Sequence, residues 1–105
     1  MPPSQIPVPP KIDPEITYNY GYYPLIFESQ SQLLRVKQEL EINNIYSRRY
    51  FYPSLNTIKY IVEKYGKQPC PISEDISKRV LCLPLGHHLT NKTVKKISSL
   101  ILDNL

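Results

Sequence analysis

Residues 46–56 carry the side chains best suited to holding a ligand: Tyr46-Ser47-Arg48-Arg49-Tyr50-Phe51-Tyr52-Pro53-Ser54-Leu55-Asn56. Two guanidinium groups stand side by side among three tyrosines, and a proline turn closes the segment. Guanidinium forks grip phosphate or carboxylate through paired hydrogen bonds. Tyrosine adds a ring for stacking and a hydroxyl. An anionic ligand that carries a ring suits this combination. A second reading of the same residues stays open, in which Arg48 and Arg49 pair with surface acids while the tyrosines pack.

Other chemistries find little material. His87 and His88 are adjacent, so a regular backbone sends them to different sides. Beside a glycine they read as a solvated loop, with a zinc pair as the lesser alternative. Cys70 and Cys82 form no C-x-x-C pair, and neither neighbours a histidine. Cys82 lies in an apolar run and reads as an inert core thiol. No G-x-G-x-x-G or phosphate-loop motif occurs, and three glycines leave little for a loop that cradles phosphate.

These residues must be positioned by a small scaffold, since 105 residues allow one domain with a modest core. Nine tyrosines against two phenylalanines and no tryptophan favour a cleft or interface over a dry core, although half-buried strands also use tyrosine. The net charge of +4 would attract a phosphorylated ligand or nucleic acid without selecting either. No basic start leads into an apolar run, and no stretch approaches the roughly 18 apolar residues of a membrane span. The expectation is a cytoplasmic protein with reduced thiols.

Residues 1–14 hold six prolines and read as an extended lead-in or linker. A strand is expected over 16–27, at an edge or bulged where Pro24 cannot donate. Ser29 and Gln32 have capping-box spacing, and Leu33, Val36 and Leu40 then recur at helical period until Asn43-Asn44. A second strand is expected over 45–52, stopped by Pro53. Ile58, Ile61, Val62 and Tyr65 predict a short helix ending at Gly66, followed by extended Cys70-Pro71. Ser73 is the expected cap of another short helix, with Glu74 and Asp75 in its first turn. A third, central strand is expected over 80–83. Thr90 caps a last helix along Val94, Ile97, Leu100 and Ile101, with Lys92, Lys95 and Lys96 on the solvent side. The fold class is therefore α+β: a small, mostly antiparallel sheet of about three strands with helices on one face.

Three blocks also carry a family resemblance. Tyr20-Gly21-Tyr22-Tyr23-Pro24-Leu25-Ile26-Phe27-Glu28, the stretch 45–56, and Ser73-Glu74-Asp75-Ile76-Ser77-Lys78-Arg79-Val80-Leu81-Cys82-Leu83-Pro84-Leu85 resemble, in that order, the C-terminal end of DegT-type (DegT/DnrJ family) aminotransferases. Leu89-Thr90 at the head of the last helix is a further match, and the resemblance covers about residues 11–105. It is greatest to enzymes that aminate dTDP-linked 4-keto- or 3-keto-6-deoxy sugars for cell-surface polysaccharides. It implies that 15–105 form the small domain of a fold-type I, pyridoxal-phosphate-dependent enzyme that takes its amino group from glutamate. It also implies a dimer with active sites between subunits. The family's large domain holds the cofactor phosphate site, the acid facing the pyridine nitrogen and the Schiff-base lysine. None of these has a match here, so the resemblance implies a truncated unit with no catalytic or cofactor-binding residue, inactive alone.

By the same resemblance Arg48, Arg49, Tyr50, Tyr52 and Asn56 lie on the sugar-nucleotide side of the cleft. Many relatives carry histidine where Asn56 stands. Either Arg48 or Arg49 is expected to meet phosphate or carboxylate, and the sequence does not choose between them. The partners implied are the large domain, a second subunit and the dTDP-sugar. The alternative is a free-standing nucleic-acid or protein binding module, since basic, tyrosine-rich sheets can stack bases. No K/R-G-F/Y motif supports it.

Overall fold

A computed structural model describes residues 6–19, 21–86 and 89–105. His87 and His88, and Tyr20 of the first resemblance block, lie outside the described residues. In chain order the elements are β1 (Pro24–Ile26), α1 (Gln30–Ile42), a 3-10 turn (Leu55–Thr57), α2 (Lys59–Tyr65), α3 (Pro71–Arg79), β2 (Val80–Cys82) and α4 (Asn91–Asp103).

Local chemistry explains the helices. Ser29 Oγ accepts from Gln32 N at 3.2 Å, and Gln32 Oε1 accepts from Glu28 N at 3.0 Å, so the expected box closes with the glutamine reaching one residue behind the cap. Leu33, Val36 and Leu40 are fully buried. α1 ends in a Schellman motif: Ile45 N donates to Leu40 O at 2.9 Å and Asn44 N to Glu41 O at 3.0 Å, with Asn44 at φ 63°. At the head of α4, Thr90 Oγ1 accepts from Thr93 N at 3.2 Å. The Lys92, Lys95 and Lys96 side is exposed, as expected. α2 stops at Gly66, whose φ of 78° and ψ of 179° suit glycine alone.

Two helix expectations change. α3 begins at Pro71, not after Ser73: proline fits the first helical position because no amide hydrogen is needed there. Glu74 Oε2 accepts from Cys70 N at 2.8 Å at that end. Ser73 bonds instead to Ser54, Oγ to Oγ, at 2.6 Å. In α4 the apolar line is shorter than its spacing implies, because Val94 is 49% exposed while Ile97 and Ile101 are buried.

The sheet has two strands where about three were expected. β1 and β2 pair antiparallel with Leu25 opposite Leu81. Single antiparallel bridges extend it on both sides, Val8 to Ile26 and Arg48 to Cys82. The expected strand over 16–27 shrinks to three residues because side chains compete for the backbone before it. Asn19 Oδ1 accepts from Gly21 N at 3.0 Å, and Tyr18 Oη donates to Tyr22 O at 2.7 Å. The expected strand over 45–52 contributes only its Arg48 bridge, since Tyr52 N turns back to Arg49 O at 3.3 Å. Part of the proline-rich lead-in is docked: Val8 N donates to Ile26 O at 2.9 Å and Ile26 N to Val8 O at 2.8 Å.

β2 is buried along its whole length, as its apolar sequence predicts, but it is not the central strand expected: it has β1 on one side and only the single Arg48 bridge on the other. Alternation puts Leu25 and Leu81 on one face, in the core with Phe27, with Leu33, Val36 and Leu40 of α1, and with Ile97 and Ile101 of α4. The helices do not all cover that one face. On the other, Pro24, Ile26 and Val80 border a depression shared with Phe51 and with Ile76 and Ser77 of α3. Among the described residues no helix is long and apolar enough to cross a membrane.

Candidate functional site

The bridge between Arg48 and Cys82 sets the site. Arg48 N donates to Cys82 O at 3.0 Å and Cys82 N to Arg48 O at 2.8 Å, which pins the arginine backbone to β2. Beside it opens a cleft of about 270 Å³ lined by Gly21, Tyr22, Tyr46, Arg48, Tyr50, Cys82 and 83–85. The Arg48 side chain is exposed and makes no hydrogen bond or ion pair with another described residue. Leu83 N donates to Tyr23 O at 2.9 Å, which joins the floor to the wall that carries Tyr22.

The aromatic wall is ordered by edge contacts. Tyr22 meets Tyr50 with centroids 5.5 Å apart at 63°, and Phe51 at 5.4 Å and 69°. Such T-shaped pairs hold the rings in place. Burial pushes the Cys82 thiol above its ordinary pKa, against a smaller opposing pull from the Tyr50 backbone. That keeps it protonated and poorly nucleophilic near neutrality. The cleft thus offers one cation and three phenols above a floor of Cys82 and 83–85. It can bind and orient an anion with a ring.

The structure divides the five expected site residues. Arg48 and Tyr50 line this cleft, together with Tyr46, which the sequence placed in the same segment but not among the five, and Tyr22 from the first resemblance block. Their signal was only the tyrosine density around them. Arg49 and Tyr52 pair with each other outside the lining, with the guanidinium carbon 3.8 Å from the ring centroid. Arg49 Nη2 donates to Lys78 O at 3.2 Å. Asn56 borders a separate depression with Gln68, donating from Nδ2 to Gln68 O at 2.7 Å, while its Oδ1 accepts from Ser54 Oγ. The pairing of Arg48 and Arg49 with surface acids is not seen among the described residues. No group of three or more possible metal ligands occurs among them either.

Comparison with known proteins gives a consistent family. The profile of the DegT/DnrJ/EryC1/StrS aminotransferase family matches residues 3–102. The chain is 31% identical over 91 residues to a dTDP-4-amino-4,6-dideoxy-D-glucose transaminase of Escherichia coli, covering 83% of this chain and 24% of that protein. It is 31% identical over 87 residues to the enzyme of the same name from Shigella dysenteriae, with 81% and 24% covered. In three dimensions it is similar to Helicobacter pylori PseC, an aminotransferase involved in the biosynthesis of pseudoaminic acid. The TM-score is 0.67 at 16% identity, over 79% of this chain and 23% of that one. The chain spans about a quarter of the length of each of these proteins.

Proposed function

Because the chain belongs to the DegT/DnrJ/EryC1/StrS aminotransferase family, we propose that it serves as the C-terminal small domain of an enzyme that moves an amino group, from glutamate, onto a dTDP-linked keto-deoxy sugar. In this reading the cleft beside Arg48 receives the diphosphate, and the tyrosines border the sugar or the base. The observation that carries it is the Arg48 guanidinium, held by its backbone at the sheet edge with its side chain unpaired in a tyrosine-walled cleft. The names of the two transaminases at 31% identity support the substrate class.

Family members depend on pyridoxal phosphate, which acts as an electron sink when bound. Such a site needs a lysine amine and an acid facing the ring nitrogen. The lining of the cleft contains neither. Lys37 pairs with Glu41, Lys59 with Glu63 at 3.9 Å, and Lys64 stands over the Tyr60 and Tyr65 rings. The cleft lining does not fit the cofactor, and in this reading the chain's part is to bind, so that alone it is inactive. The cofactor and the reacting lysine belong to the three quarters of the enzyme beyond this unit. Leu55 and Ile72, exposed at 74% and 81% on either side of the Ser54–Ser73 hydrogen bond, are apolar surface that this remainder or a second subunit would cover.

Calorimetric titration of the chain with thymidine diphosphate tests the reading. Arg48→Ala should cost about 1.5–3 kcal/mol for a hydrogen-bonded charge, which is roughly tenfold or more in Kd. Equal binding by wild type and variant would overturn it. Tighter, salt-dependent binding of an RNA oligonucleotide would favour the nucleic-acid module instead.

A further inference from the structure

Resting on that reading of the cleft, we propose that Arg49 is a positioning residue: it holds Arg48 and Tyr50 in place from behind and does not meet the ligand itself.

The bridge to Cys82 fixes Arg48, and Arg49 stands at the start of the turn that follows, with its guanidinium outside the cleft lining. One face lies 3.8 Å from the Tyr52 centroid, and Nη2 donates to Lys78 O in the last turn of α3. Helix-end carbonyls lack intrahelical partners and favour a cation. Nε is buried with no hydrogen-bond partner among the described residues. The two contacts turn the guanidinium toward Tyr52 and the end of α3.

The contact closes the turn that follows. Tyr52 N donates to Arg49 O, so residues 49–52 fold back, and Tyr50 and Phe51 stand at the tip of the turn. Those two rings meet Tyr22 edge-on, Tyr50 within the cleft lining and Phe51 outside it. Arg49 thus ties together the Arg48 bridge, the aromatic wall and the end of α3. Only a flat, multiply donating cation can stack on a ring and reach a carbonyl at once, so lysine would replace half of it.

Nuclear magnetic resonance on the labelled 105-residue chain tests this without a ligand. Ring-to-ring Overhauser contacts from Tyr22 to Tyr50 and Phe51, and slow exchange of the Arg48 amide, should be present in wild type. They should be lost in Arg49→Ala and partly restored in Arg49→Lys. Thymidine diphosphate titrations at two salt concentrations add a second readout. Arg49→Ala should weaken binding by about three- to tenfold yet keep the wild-type salt dependence, whereas Arg48→Ala should flatten that dependence. The proposal is overturned if Arg49→Ala flattens it as well, or leaves the ring contacts and amide exchange intact. If wild type fails to bind the probe, the reading of the cleft falls, while the ring contacts still decide the role of Arg49. If Arg49→Ala does not fold, Tyr52→Leu removes the stack alone, and retained Tyr22 contacts in that variant would overturn the proposal.

Discussion

Phe27 and Arg79 bind each other twice: Phe27 N donates to Arg79 O at 2.8 Å, and Arg79 Nη1 donates back to Phe27 O at 2.6 Å. The first bond continues the β1–β2 ladder. The second uses a side chain to satisfy the carbonyl just beyond β1, next to the fully buried Phe27 ring. The junction between α3 and β2 is fixed to the core at this point, and the cleft beside Cys82 inherits its geometry.

Arg79→Ala should therefore destabilise the chain by about 1.5–3 kcal/mol, the range for a hydrogen bond from a charged donor. Urea unfolding followed by circular dichroism would measure it. An unchanged midpoint would mean that water replaces the guanidinium at Phe27 O.

The same arginine grips Asp75, with Nη2 to Oδ2 at 2.8 Å and Nε to Oδ1 at 3.2 Å. The hydrogen bond from Arg79 chiefly holds the Asp75 carboxyl below the usual carboxylate pKa, while desolvation opposes it. A carboxylate depressed in the folded state adds stability above its unfolded pKa and loses it as pH falls through the folded one. Wild type and Asp75→Asn should thus differ at neutral pH and converge below about pH 4, the ordinary aspartate range. Carbon-detected titration of Asp75 should return to that range in Arg79→Ala.

Gly66 ends α2 with φ 78° and ψ 179°, and a methyl group there would meet no atom within 4 Å. Any cost of Gly66→Ala is then backbone strain alone, expected at about 1–3 kcal/mol. Thermal unfolding of the variant would show it. A loss below a few tenths would mean that the helix end shifts to another conformation.

Cys70 is exposed and Cys82 is buried with its thiol pKa raised. Iodoacetamide near neutral pH should modify Cys70 first, and Cys82 only after urea is added. Intact-mass spectrometry over time separates one adduct from two. Early double modification would show that the cleft opens to expose the Cys82 sulfur.

Much of this architecture is written in local residues. Ser29 with Gln32, Thr90 with Thr93, and Gly66 after Tyr65 act within a few positions of their partners, so spacing alone locates α1, α4 and the end of α2. β2 was legible for a related reason, since uniform apolarity leaves it no face for water. The start of α3 was misplaced because Ser73 has a partner nineteen residues away, Ser54, that no local pattern reveals.

The arginine pair marks the boundary most sharply. Its residue types and the tyrosines around them, read as sequence, already suit an anionic ligand that carries a ring. Which guanidinium faces that cleft depends on the bridge from Arg48 to Cys82 and on the carbonyl of Lys78, some thirty residues along the chain. Strand pairing and side-chain direction are settled by such distant partners, whose identity depends on how the whole core closes. The tertiary structure therefore decided the extent of the sheet, the separation of Asn56 from Arg48, and which of two adjacent arginines lines the cleft.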